Sequence, residues 1–128
     1  MSNNYQKGAK DNRPWGTWEV IETGENFCVK HICVTPNNIL SLQSHNFRAE
    51  HWIIVRGEAV VTLGEEKLIK KADESVYIPV KTKHRIQNNG KELLEFIEIQ
   101  YGENLDENDI IRYEDSYGRV NEGYVRVS

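Results

Sequence analysis

The chain has no apolar run near the roughly 18 residues a membrane-spanning helix requires. Its polar N-terminus, Met1 to Asn12, lacks the apolar core of a signal peptide. Cysteine is scarce: Cys28 and Cys33 are the only two. Their spacing fits neither a zinc knuckle nor a C-x-x-C redox pair, so free, mostly buried thiols in a reducing cytoplasm are expected. Positive charge is not in excess. The 16 Lys and Arg stand against 20 Asp and Glu, for a formal net charge of -4, which gives no reason to expect nucleic acid or an anionic membrane as partner. A small phosphorylated ligand is compatible with this balance, because a pocket can be basic on an acidic protein. Repeats, linkers and low-complexity tracts are absent, and 128 residues make one domain with its own core.

What the chain does have is period-two alternation. Thr17–Ile21, Phe27–Val34, Ile39–His45, Glu50–Val55, Ala59–Leu63, Lys67–Lys71, Ser75–Pro79, His84–Asn88 and Leu93–Gln100 all read as strands. Gly57-Glu58 and Gly64-Glu65-Glu66 predict tight hairpins, and Asn89-Gly90 carries the strongest hairpin signal. Only Leu105–Ile111 has helical character, with acidic residues early in it. About nine short strands with turn signals every 8–12 residues predict an all-β fold, an antiparallel barrel or double sheet of the jelly-roll type. Residues 1–12 are expected to form a flexible arm, 13–119 the domain and 120–128 a tail.

One segment departs from a generic β domain. Gln43 and His45 are two apart and leave the same strand face, Glu50 opens the next apolar run, and His84 follows Ile78-Pro79 and a polar turn. An amide, two imidazoles and a carboxylate from separated strands form a mixed N/O set suited to a divalent transition ion. Gln43, His45, Glu50 and His84 are therefore read as one metal site at a barrel mouth. A carboxylate facing a barrel interior needs a partner, and a cation supplies one.

The spacing Gln43-x-His45-x4-Glu50-x6-Gly57 resembles the first motif of the cupins, with Gln43 in place of the usual first histidine. Pro79-x-Lys81-x2-His84-x3-Asn88 resembles their second motif, with Lys81 where a glycine is usual. A closer likeness rests on Arg13-Pro14-Trp15-Gly16, Gln43 through Trp52, Glu74 through Pro79, Asp109 through Arg112, Asp115 and Tyr117-Gly118-Arg119. These stretches resemble the C-terminal domain of type II phosphomannose isomerases, which usually follows a mannose-1-phosphate guanylyltransferase domain. The likeness covers nearly all of residues 13–119 and includes no nucleotidyltransferase half. Asn46 and Phe47 stand where that family commonly has a histidine-rich run.

The resemblance implies a double-stranded β-helix barrel, a divalent metal (Zn²⁺ first, with Co²⁺, Ni²⁺, Mn²⁺ or Fe²⁺ as alternatives) and interconversion of mannose 6-phosphate and fructose 6-phosphate. It implies Gln43, His45, Glu50 and His84 as ligands. The reaction also needs a base for the carbon proton and cations for the phosphate. Glu98, on the face of Leu94 and Phe96 and beside Gln100, is the first candidate base, and His51 the second. Arg48, close to the metal, is expected at both the catalytic centre and the phosphate, with Lys83, Arg112 and Arg119 as further phosphate contacts and Arg85 beside His84. Trp15 and Trp52 are expected to wall the pocket. The alternatives are a non-catalytic cupin that binds a sugar phosphate or sugar nucleotide, favoured by Asn46 and Phe47, and a cupin enzyme of other specificity. Exposed β edges and the N-terminal arm predict a homodimer.

Overall fold

The computed structural model describes residues 2–115. The strands are β1 (Ser2–Asn3), β2 (Lys10–Arg13), β3 (Gly16–Thr23), β4 (Phe27–Val34), β5 (Asn38–Ile39), β6 (Leu42–Ser44), β7 (Ala49–Arg56), β8 (Glu58–Leu63), β9 (Glu66–Lys71), β10 (Ser75–Ile78), β11 (His84–Asn88), β12 (Leu94–Tyr101), β13 (Asn104–Leu105) and β14 (Ile111–Glu114). They form two antiparallel sheets, β10-β7-β12-β4-β3-β2 and β14-β6-β11-β8-β9, with β5 also on β11; β1 and β13 make a short parallel pair.

Alternation decides what each sheet buries. On β4, Cys28, Lys30, Ile32 and Val34 point inward, while Val29, His31 and Cys33 face out; on β12, Leu94, Phe96, Glu98 and Gln100 point inward. The facing sheets enclose Trp15, Ile32, Val34, Trp52, Ile54, Val61, Ile78, Ile86, Leu94 and Phe96. Fully burying a side chain of this size contributes about 1.5–3 kcal/mol. The core fills one end of the barrel, and the inward positions turn polar towards the other.

The turn signals mark real turns, but two of them join different partners from those expected. Gly64 closes a true β8–β9 hairpin, with Leu63 opposite Glu66. Gly57 instead carries the chain from one sheet to the other, since β7 and β8 lie in different sheets. Its φ of +84° and the close approach of the Leu93 backbone leave no room for a Cβ. Asn89-Gly90 likewise links β11 to β12 across the sheets. Local turn chemistry is the same in a hairpin and in a jelly-roll corner, so it does not specify the pairing.

Three further expectations are corrected. Residues 1–12 are not a free arm: Tyr5 is buried with Val20, Cys28 and Leu105 in a second small core, and the Asn3 amide donates to Thr23 Oγ1 at 2.6 Å and the Gly24 carbonyl at 2.7 Å. A single tyrosine in a polar stretch gave no periodic signal. Leu105–Ile111 is not helical. It holds the end of β13, a turn in which Asp106 accepts from the Asn108 amide at 2.9 Å, and the start of β14. The strand expected over Ile39–His45 breaks between β5 and β6, where Leu40 bonds Ile86. Arg119 and the tail 120–128 lie outside the described residues.

Asn88 shows how the second motif serves the fold. It is buried, donates to the carbonyls of Val34 and Glu92, both at 2.8 Å, and accepts from the Gly90 amide at 2.9 Å. Asn88→Ala strands these groups and is expected to cost about 1–3 kcal/mol in urea denaturation. A loss of under half that would remove Asn88 from the corner's support.

Candidate metal centre and substrate cavity

The site is assembled from both sheets and the loop after β6. The six-stranded sheet supplies Glu50, Trp52, Lys30, Glu98 and Gln100 from inward positions, with Glu50 opposite Gln100 and Glu98 between Trp52 and Lys30. The other sheet supplies His84, whose register partner is Gln43. His45 and Arg48 lie in the connection from β6 to β7.

His45, Glu50 and His84 offer ligand atoms that all lie within 4.8 Å of one another, and all three are buried. His45 Nε2 is 3.1 Å and His84 Nε2 3.9 Å from Glu50 carboxylate oxygens. His45 Nδ1 lies 2.6 Å from the Asp109 carbonyl and His84 Nδ1 2.9 Å from the Thr82 carbonyl. A carbonyl oxygen only accepts, so both Nδ1 atoms carry a proton, which directs both Nε2 atoms at Glu50. Burial lowers the His84 pKa to about 4, which keeps the ring neutral. Two imidazoles held by their Nδ1 hydrogen bonds and one carboxylate fit a divalent ion. Gln43 stands at the rim, its amide donating to Ser41 Oγ at 3.2 Å, and it lines the cavity.

Glu50 is the electrostatic centre. Burial pushes its carboxyl up, but the Arg48 guanidinium foremost holds it well below the ordinary carboxylate range. Arg48 Nε donates to Glu50 Oε2 at 2.9 Å, and Trp52 Nε1 donates to Oε1 at 3.0 Å. Burial works against the charge on Arg48, and Glu50, Tyr5 and Glu98 more than offset it. Its remaining nitrogens bond Tyr5 Oη at 3.1 Å and approach His45 Nε2 at 3.3 Å.

Glu98 shares the Trp52 indole N–H with Glu50 and accepts from Gln100 Nε2 at 2.8 Å. Burial first, and the Glu50 charge second, raise its pKa to about 7. A carboxyl poised there is matched to proton exchange at neutral pH. A cation bound at Glu50 acts in the opposite sense.

Glu98, Arg48 and Gln43 line a cavity of about 370 Å³ together with Arg13, Lys30, Arg112, Trp15 and Trp18. Lys30 is buried, with its ammonium 4.4 Å from the centre of the Tyr5 ring and 4.5 Å from that of Trp18. Sequence reasoning missed Lys30, although a lysine among Cys28, Ile32 and Val34 on the inner face of β4 was a usable signal. It also missed Arg13 and Tyr5 as cavity residues.

Other candidates fall elsewhere. His51 is exposed on the outer face of β7 and packs on Tyr77 at 4.7 Å. Strand alternation sends it away from Glu50, so it is not a cavity base. Lys83 is exposed, does not line the cavity, and rests its ammonium on the Tyr113 ring at 4.3 Å. Arg48 is committed to Glu50, Tyr5 and His45 rather than held free for a phosphate. Arg85 donates to the Leu40 carbonyl at 3.1 Å. Arg112 is the register partner of Gln43 and does line the cavity.

Asp109 holds the ligand loop. Besides its carbonyl on His45, its carboxylate accepts from the amides of Asn46 at 2.8 Å and Phe47 at 3.0 Å. Asn46 and Phe47 are themselves exposed, so the loop uses their amides. On the other side, the Lys81 amide donates to the His45 carbonyl at 2.7 Å. Lys81 does this with φ +61°, in the left-handed region where the cupin motif has glycine.

A likeness in fold comes from the cupin domain of Schizosaccharomyces pombe Cnp3, at a TM-score of 0.65 and 16% identity over 67% of this chain and 64% of that one. The chain thus has the cupin fold, a double-stranded β-helix barrel with a candidate His/Glu/His centre in its polar end. A family model described as mannose-6-phosphate isomerase C-terminal matches residues 2–115, and the chain belongs to that family. The Xanthan biosynthesis protein XanB of Xanthomonas campestris pv. campestris is 53% identical over 108 residues, covering 84% of this chain and 23% of that protein. Mannose-1-phosphate guanylyltransferase ManC of Salmonella typhimurium is 46% identical over 108 residues, 84% of this chain and 22% of that protein. The chain spans less than a quarter of the length of these curated relatives.

Two outcomes are expected. Lys81→Gly removes left-handed strain and should raise the unfolding free energy by up to about 1 kcal/mol, read by urea denaturation. Excess Zn²⁺ or Co²⁺ should raise the melting temperature, with stabilisation of about 2.7 kcal/mol at a hundredfold excess over Kd. His45→Ala should stay folded and lose most of that rise; a full rise in His45→Ala would remove His45 from the ligand set.

Proposed function

We propose that the chain is a metal-dependent isomerase that interconverts mannose 6-phosphate and fructose 6-phosphate. The observation that carries the proposal is the placement of Glu98 in a cationic cavity, one indole N–H away from the Glu50 that a metal ion would share with His45, His84 and Gln43. Family membership and the names of the relatives support mannose phosphate as the substrate and nucleotide-sugar biosynthesis as the setting.

Aldose–ketose isomerisation moves a proton between C1 and C2 of an opened sugar through an enediolate. A divalent ion, Zn²⁺ by preference, supplies Lewis acidity against the negative charge that develops on the sugar oxygens. Glu98 takes the proton from one carbon and returns it to the other. The Trp52 and Gln100 donors hold one carboxylate oxygen each and so fix the plane of attack. Lys30 and Arg48 add positive charge beside the reacting oxygens, while Arg112 and Arg13 at the cavity wall receive the phosphate. Trp15 and Trp18 wall the sugar. A cytoplasmic setting agrees with a phosphorylated substrate and with the free thiols of Cys28 and Cys33; among the described residues no helix is long and apolar enough to cross a membrane. We assign no nucleic-acid or membrane partner, and we take the working unit to be a homodimer.

A second reading, a sugar-phosphate binding cupin without turnover, is favoured by one observation. Arg48 and Trp52 already satisfy both oxygens of Glu50, so the centre is electrostatically balanced by protein groups.

A coupled assay on mannose 6-phosphate with added Zn²⁺ or Co²⁺ separates the two. Turnover is expected, and Glu98→Gln should lower kcat by about 10²–10⁴-fold while keeping the metal-induced rise in melting temperature. His51→Ala should leave kcat unchanged. Binding of the phosphosugar with no turnover under any divalent ion would overturn the isomerase reading in favour of the second.

A further inference from the structure

We propose that His31, Cys33 and Glu95 form a second metal site, on the outer face of the six-stranded sheet, that takes a borderline divalent ion such as Zn²⁺ through one nitrogen, one sulfur and one oxygen.

The strand pairing brings the three donors together. His31 and Cys33 are two apart on β4 and share its outward face. Glu95 on β12 is the register partner of Cys33 and sits on the same face. Because β4 lies between β3 and β12, all three ligands stand on strands paired along both edges, which fixes them better than a loop would.

The distances match a tetrahedral ion. Zinc bonds of about 2.3 Å to sulfur, 2.0–2.1 Å to imidazole nitrogen and 2.0–2.2 Å to carboxylate oxygen set N···S near 3.6 Å and N···O near 3.4 Å. His31 Nε2 lies 3.6 Å from Cys33 Sγ and 3.5 Å from Glu95 Oε2, and the ligand atoms of all three residues fall within 4.8 Å of one another. The carboxylate is not diverted: Arg56, its register partner on β7, approaches Glu92 instead at 3.9 Å.

Burial raises the Cys33 thiol above its ordinary pKa, so without metal the sulfur keeps its proton. Coordination transfers that proton to water and leaves a thiolate on the ion. The side chains of His31 and Glu95 remain 36% and 25% exposed, so the fourth position faces solvent. The site is separate from the barrel centre, because Lys30 and Ile32, on either side of His31, face the opposite way.

Sulfur distinguishes the two sites. The barrel donors are nitrogen and oxygen only, so a sulfur-to-cobalt charge-transfer band in the near ultraviolet reports this one alone. Titration of the reduced full chain with Co²⁺ is expected to bind two ions per chain and to develop that band. In a His45→Ala, His84→Ala variant the band should persist with one ion per chain. Cys33→Ser should lose the band and drop the parent stoichiometry from two to one; His31→Gln, a second variant at a half-exposed position, should weaken the band's titration at least tenfold. In the folded chain, where Cys28 is buried and unreactive, Zn²⁺ should slow alkylation of Cys33, and His31→Gln should remove most of that protection. A parent that shows no charge-transfer band, or a band of equal strength in Cys33→Ser, overturns the proposal.

Discussion

The structure depends on the buried carboxylate of Glu50. A lone carboxylate at 1% exposure would be costly; Arg48 and Trp52 answer it by hydrogen bonds, and the Nε2 atoms of His45 and His84 converge on it. Removing one partner from such a buried pair typically costs about 3–5 kcal/mol. The need to compensate Glu50 therefore restricts the neighbouring positions as strongly as chemistry does. It also explains Glu98, since a second buried carboxylate beside the first is pushed towards its neutral form.

The same constraint orders the elements. Strand β7 must present Glu50, Trp52 and Ile54 inward, so that polar and apolar parts of the barrel lie along one strand. β11 then places His84 across the cavity at one end and buries Ile86 and Asn88 towards the other. One alternating pattern supplies both the centre and the support beneath it, and Trp52 is the joint, with its ring on Phe96 at 5.4 Å and its N–H on the two carboxylates.

Much of this was legible in the sequence. The alternation of β4, β7, β11 and β12 was read correctly as strand faces, and the structure brings His45, Glu50 and His84 together at a polar mouth, with His45 in the connection after β6 and Gln43 bonded to Ser41. What stayed hidden was long-range. Gly57 and Asn89-Gly90 looked like hairpins because a corner between sheets uses the same backbone conformations. Tyr5 fell in the expected arm because its place shows only through residues distant in sequence, Val20, Cys28, Lys30, Arg48 and Leu105. The trio of His31, Cys33 and Glu95 is invisible until β4 and β12 are in register. Lys83 and His51 were nominated by nearness in sequence to His84 and Glu50; strand alternation turns His51 outward, and Lys83 lies just before β11 with its ammonium on the Tyr113 ring.

The clasp that Asp109 places on His45, Asn46 and Phe47 has a consequence for biosynthesis. A chain growing from its N-terminus makes both histidines, the carboxylate and most of both sheets before the residue that orients the first imidazole leaves the ribosome. The orientation of the first imidazole therefore waits on a segment that follows the strands carrying Glu50 and His84.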